Sequence, residues 1–146
     1  MEPGILLIVF VICLIIYKAR KKRRLKKEDI FLSNHEKRKR ISYPKAKHKD
    51  GRIKTPQERE QDLENYLLDL ARAGKDSAKA EKIKHKRLGA THYIWRSADD
   101  ADTCIECKKN NGKKFAWDRP PKTGHPGEGL CCPRNLCRCY PEAIIK

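Results

Sequence analysis

The sequence predicts a small α+β protein: an N-terminal single transmembrane helix, a disordered basic linker, a helical hairpin and a metal-stapled β-hairpin module. Three observations predict it. A charge-free apolar run opens the chain, a strongly basic stretch follows, and six of the seven cysteines crowd into residues 104 to 139. The boundaries fall at 1–19 for the anchor, 20–54 for the linker, 55–89 for the hairpin and 90–146 for the cysteine-rich module. Large apolar side chains are scarce after the first block, so the module needs a staple to offset the entropy of folding.

Residues 5 to 17 run from Ile5 to Tyr17 without a charge. As a helix they reach about 20 Å, against about 30 Å for a hydrocarbon core. Pro3, Gly4 and Ala19, with Lys18 and Arg20 snorkelling, extend them toward spanning length. A cleaved signal peptide carries its positive charge before the apolar run and a small-residue site after it. Here Glu2 precedes the run, and Lys18, Arg20 to Arg24, Lys26 and Lys27 follow. The expectation is therefore an uncleaved anchor, and the positive-inside rule puts everything after Lys18 in the cytoplasm. Cys13 lies within the run and reads as apolar filler.

The formal net charge of +16 is concentrated in one place. Residues 18 to 54 carry 17 Lys and Arg against four acids, a net +13. Such a segment attracts polyanions, either anionic lipid or DNA, or else acts as a solvated linker. Apolar periodicity is nearly absent from 33 to 54, which predicts disorder there.

Order resumes at Thr55. Thr55-Pro56-Gln57-Glu58 is a capping box with Pro at the first helical position. Leu63, Tyr66, Leu67, Leu70 and Ala71 then fall on one helical face. Gly74 is expected to cap this helix, and a second, more basic one is expected from Asp76 or Ser77 to Leu88, stopped by Gly89. The pair either covers the next module or dimerises. Thr91 to Arg96 is rich in strand formers, with His92 on the strand surface rather than a ligand.

Cys104-Ile-Glu-Cys107 is a C-x-x-C pair, followed by the tight-turn string Asn110-Asn111-Gly112 and a strand-like Lys113 to Trp117. This is the layout of a zinc knuckle. The second pair of ligands would come from His125, Cys131, Cys132, Cys137 and Cys139. A cytoplasmic location disfavours disulfides, and C-x-x-C with distant Cys and His is a metal spacing. A thioredoxin-like role has no βαβ pattern to support it.

These residues carry a resemblance. Tyr93, Trp95, Ser97 and Asp99, then Asp102, Cys104 and Cys107, then Asn111-Gly112-Lys113 and Phe115, resemble the start of the C-terminal domain of the phage Mu protein F-like (minor head protein) family. Gly124-His125-Pro126-Gly127-Glu128, Cys137-Arg138-Cys139 and Pro141 are similar to its end. The likeness covers about a third of the chain. It implies a phage or prophage head-morphogenesis module with a metal-stabilised fold and no catalysis, with phage portal or capsid proteins as partners and a virion as a place of action. It also implies a structural zinc on Cys104 and Cys107, completed by His125 and Cys137, with Cys139 next. Gly129 to Leu136 is extra relative to the family, so Cys131 and Cys132 are expected to be dispensable.

Two other functions compete with a membrane-tethered head-like structural protein. One is a membrane-bound, non-specific nucleic-acid adaptor working through residues 18 to 54, with Trp95 and Trp117 as minor contributors. The other is a small nuclease with His125 as general base. No second His, Asp or Glu makes a hydrolytic motif with His125, and His125-Pro126-Gly127-Glu128 reads better as a turn.

Overall fold

The computed structural model describes residues 3–145, with side chains from residue 7 onward. Met1 and Glu2 of the expected anchor, and Lys146 of the module, lie outside the described residues. The chain divides into two compact units, 1–38 and 39–146.

The first unit is one helix, α1 (Pro3–Glu36). Its second half is basic but made of good helix formers, and Arg24 binds Glu28 one turn on at 2.8 Å. Leu7 to Tyr17 stay exposed, Leu7 and Tyr17 by about two thirds. Among the described residues no helix is long and apolar enough to cross a membrane. The reason is length: the charge-free run ends at Tyr17, and the same helix continues straight into Lys18 and Arg20 to Arg24. The expected single-pass anchor is thereby corrected, and with it the membrane localisation and the cytoplasmic placement of the C-terminus. The expected disordered linker is corrected too, because its first part is helical as far as Glu36.

In the second unit, residues 39–54 form a strap rather than a disordered coil. A turn at Gly51 pairs Lys47 with Ile53, and His48 N–H donates to the Arg52 carbonyl at 2.9 Å. Tyr43 meets Tyr66 edge-on at 5.3 Å, and Lys54 is ion-paired with Asp62.

Helix α2 (Pro56–Arg87) starts at the capping box. Glu58 N–H donates to Thr55 Oγ1 at 3.2 Å, and Thr55 N–H donates to Glu58 Oε2 at 2.7 Å. The helix ends at Leu88, with Gly89 at φ 82° just beyond. It is one continuous helix, so the expected hairpin is corrected. Gly74 does not stop it; Gly74 lets another backbone approach. A Cβ there would lie 3.6 Å from the Gly127 carbonyl and 4.0 Å from that of Cys137. With Ala71 and Ala78 it forms a small-residue face at i, i+3, i+7, and both alanines are buried.

A three-stranded antiparallel sheet follows, in the order β2–β1–β3, where a two-stranded hairpin was expected. Strand β1 (His92–Arg96) is central, between β2 (Lys114–Ala116) and β3 (Tyr140–Ile144). Tyr93 faces Phe115 on one side and Ala143 on the other. The period-two alternation of β1 sends Tyr93 and Trp95 inward, both fully buried. With Trp117, Cys107 and Cys139 they make the core, a small cluster in which sulfur is a major component.

Candidate metal centre

The cysteines arrive from three places. The short helix α3 (Ile105–Asn110) brings the first pair. Cys104 is its N-cap, and its Sγ accepts the Cys107 N–H at 3.4 Å. That one turn of backbone aims both sulfurs the same way, which is what C-x-x-C spacing achieves in a knuckle.

The second pair, Cys131 and Cys132, sits in the 129–136 loop. Cys132 N–H donates to the Gly129 carbonyl, Asn135 N–H to that of Cys132 and Leu136 N–H to that of Pro133. Gly129 has φ 76°, and any Cβ there would overlap the Asn135 carbonyl, so only glycine fits. A short 3₁₀ turn, Pro133–Asn135, closes the loop.

The third pair, Cys137 and Cys139, enters β3. Arg138 between them reaches out instead, binding Asp100 at 2.8 Å and Asp102 at 3.2 Å. It thus ties the C-x-C segment to the loop that leads into Cys104.

The sulfurs of Cys104, Cys107, Cys131 and Cys132 all lie within 4.8 Å of one another. Cys131 is 3.5 Å from both Cys104 and Cys107. Cys132 is 3.6 Å from Cys107, 3.7 Å from Cys104 and 3.9 Å from Cys131. A tetrahedral ion with zinc–sulfur bonds of about 2.3 Å holds its ligands about 3.8 Å apart. The geometry of this cluster is therefore compatible with a metal site. The sulfurs of Cys107, Cys137 and Cys139 likewise all lie within 4.8 Å of one another. No pair among the six is joined as a disulfide.

The protons are distributed unevenly over these sulfurs. Cys137 is drawn down to about 5 by the Cys139 thiol that donates to it, against burial, with help from the N–H groups of Cys139 and Gly127. Cys104 is also lowered: burial opposes this, but the Cys107 N–H and the neighbouring thiols outweigh it. Burial pushes Cys107, Cys131 and Cys132 up. Cys139 is raised first by its bond to Cys137 and then by burial. Clustered buried sulfurs cannot all ionise until a cation replaces their protons. The Trp95 indole N–H, buried without a conventional partner, lies beside Cys139 and favours its thiolate.

His125 is placed apart from both sulfur groups. It is 4% exposed. Its Nδ1 lies 3.0 Å from Tyr93 Oη and its Nε2 2.9 Å from Lys82 Nζ. The ammonium can only donate, so Nε2 accepts and Nδ1 carries the proton. Burial, then the Lys82 charge, holds the ring neutral by lowering its pKa. Glu128 Oε2 accepts the His125 N–H at 2.8 Å, closing the turn.

The structure thus brings Cys104 and Cys107 together with Cys131 and Cys132, puts Cys137 and Cys139 against Cys107, and gives His125 to Tyr93 and Lys82. A place for Cys131 and Cys132 among the clustered sulfurs was open in the sequence, which counted them as possible ligands and set them aside as dispensable on the resemblance. Its available signal was two adjacent cysteines between Gly129 and Pro133, residues that build tight turns. No family profile, no curated protein and no solved structure matches the chain.

Proposed function

We propose that residues 55–146 form a non-catalytic structural module stapled by zinc on Cys104, Cys107, Cys131 and Cys132. The observation that carries this is the set of five sulfur–sulfur distances between 3.5 and 3.9 Å. Four soft thiolates in a tetrahedron suit zinc over harder cations. The core is too small to hold the fold alone, so the metal contributes most of the folding free energy. The test is zinc per chain by atomic spectroscopy, with melting before and after chelator. One or more zinc ions and a collapse on chelation support the reading; a metal-free protein that melts unchanged overturns it.

Within this reading, the module acts as a minor-head-protein-like piece in the assembly of a phage or prophage head, with portal or capsid proteins as partners. The resemblance supports this through the roles of its residues. Tyr93 holds His125, Asn111 accepts the Ser97 N–H at 3.1 Å, and Trp95 lines the sulfur core. The motif thus specifies a fold. His125, with both ring nitrogens engaged and almost no exposure, is poorly placed as a nuclease base.

The basic segment supports a second element of the function. Its side chains project from α1 and the strap, and we propose a sequence-independent phosphate contact through residues 18–54, on DNA or anionic lipid.

A further inference from the structure

We infer that the six clustered cysteines hold two zinc ions in a thiolate-bridged binuclear centre, with Cys107 as a shared ligand. This rests on the zinc reading above and deepens it. The observation is that Cys107 belongs to both sulfur groups. In a single tetrahedral site each sulfur has three sulfur neighbours. Cys107 has five: Cys104, Cys131 and Cys132 on one side, Cys137 at 3.9 Å and Cys139 on the other. It is also fully buried, and it stands where the two groups meet. A thiolate has more than one lone pair, so one sulfur can bind two cations at once.

The remaining ligands fit a second ion. Cys137 and Cys139 complete three positions with Cys107. Cys132 lies 3.6 Å from Cys107, the sulfur common to both groups. It is therefore the candidate for the fourth. If Cys107 and Cys132 are both shared, six sulfurs fill four positions on each of two ions. Charge favours the same answer: four thiolates on one divalent ion leave an excess of negative charge, and further ionised sulfurs beside it would add to that excess. A second dication neutralises them. The chain supplies the supports as well, since Arg138 fixes the C-x-C segment from outside and Trp95 packs in the same core cluster as Cys139.

The experiment uses the full chain purified in zinc. Atomic spectroscopy should give two zinc ions per chain. Cys139→Ser should lower that to one while Cys104, Cys107, Cys131 and Cys132 still hold their ion. Cadmium NMR on the unsubstituted protein should show two tetrathiolate-type resonances coupled to each other through the bridge. One ion per chain, unchanged by Cys139→Ser, overturns the binuclear centre and leaves the single zinc site standing. Two uncoupled resonances overturn the sharing of Cys107. A chain that binds no metal overturns both readings, and visible absorption from bound iron overturns the zinc assignment.

Discussion

Helices α1 and α2 are nearly the same length, 34 and 32 residues, yet they are held in opposite ways. Helix α1 carries the large apolar side chains and leaves them exposed from Leu7 to Tyr17. Helix α2 has few, and buries alanines instead. Packing is decided by shape as much as by hydrophobicity. Ala71, Gly74 and Ala78 let backbone come within contact distance, and a built-in cluster of sulfur and aromatic rings gives them something to contact. An α1-like helix depends on backbone propensity and pairs such as Arg24–Glu28, which is a marginal basis in water.

The sharpest way to separate the two is to remove the zinc proposed for the module. Cys104→Ser and Cys131→Ser should each unfold the module, since structural zinc sites contribute on the order of 10 kcal/mol. Cys132→Ser should be equally severe. Both tryptophans sit in the module, so their fluorescence reports its collapse directly. A Cys131→Ser or Cys132→Ser protein that keeps its zinc and its melting temperature would show that the 129–136 loop is not part of the site.

The basic half of α1 and the strap should bind polyanions in a salt-dependent way. With six or more phosphate contacts, affinity for duplex DNA or anionic vesicles should fall roughly a thousandfold between about 50 and 200 mM salt. Binding that ignores salt, or that demands one DNA sequence, would count against a phosphate contact.

A third test sets the two helices directly against each other. Ala78 lies where a Cβ added to Gly127 would come within 3.0 Å of it. Ala78→Leu should cost about 1–3 kcal/mol by overpacking, while Ile15→Ala on exposed α1 should change stability by less than about 0.5 kcal/mol. Denaturant titration followed by circular dichroism reads both. Equal effects would mean that α1 has a packing partner.

Local signals in the sequence were legible wherever the cause is local. Thr55 to Glu58 started α2, Gly89 marked its end, and the strand formers of Thr91 to Arg96 marked β1. The Asn-Gly turn led into β2. The misses in the second unit have a tertiary cause. Gly74 resembles a cap, but it is needed for close approach to Gly127 and Cys137. Strand β3 contains Pro141, which weakens its strand pattern, and it forms because β3 is an edge that pairs with β1 alone. Of the sulfur cluster, C-x-x-C was readable because one helical turn sets its geometry. Which distal residues join it depends on how the 124–139 segment folds back. That folding took His125 to Lys82 and Tyr93 and brought Cys131 and Cys132 to the sulfurs.

A smaller effect than overpacking is expected at the start of α2, where the strap joins the helix. Thr55 and Glu58 satisfy each other's backbone N–H groups, so Thr55→Ala should cost about 1 kcal/mol. The same contact predicts a pH dependence. The Thr55 backbone N–H, then its hydroxyl, and then His48 hold the Glu58 carboxyl down from 4.5 to about 2. A carboxylate lowered on folding adds stability that is complete above its unfolded value and is lost as the pH falls toward the folded one. The cap should therefore weaken between about pH 4.5 and 2. Acid would also strip the proposed zinc from the thiolates, so the clean measurement is a difference between proteins. Wild type and Glu58→Gln should lose metal alike, and only the wild type should show the added slope in helix content over that range. If both proteins follow one curve, Glu58 does not cap α2 in solution.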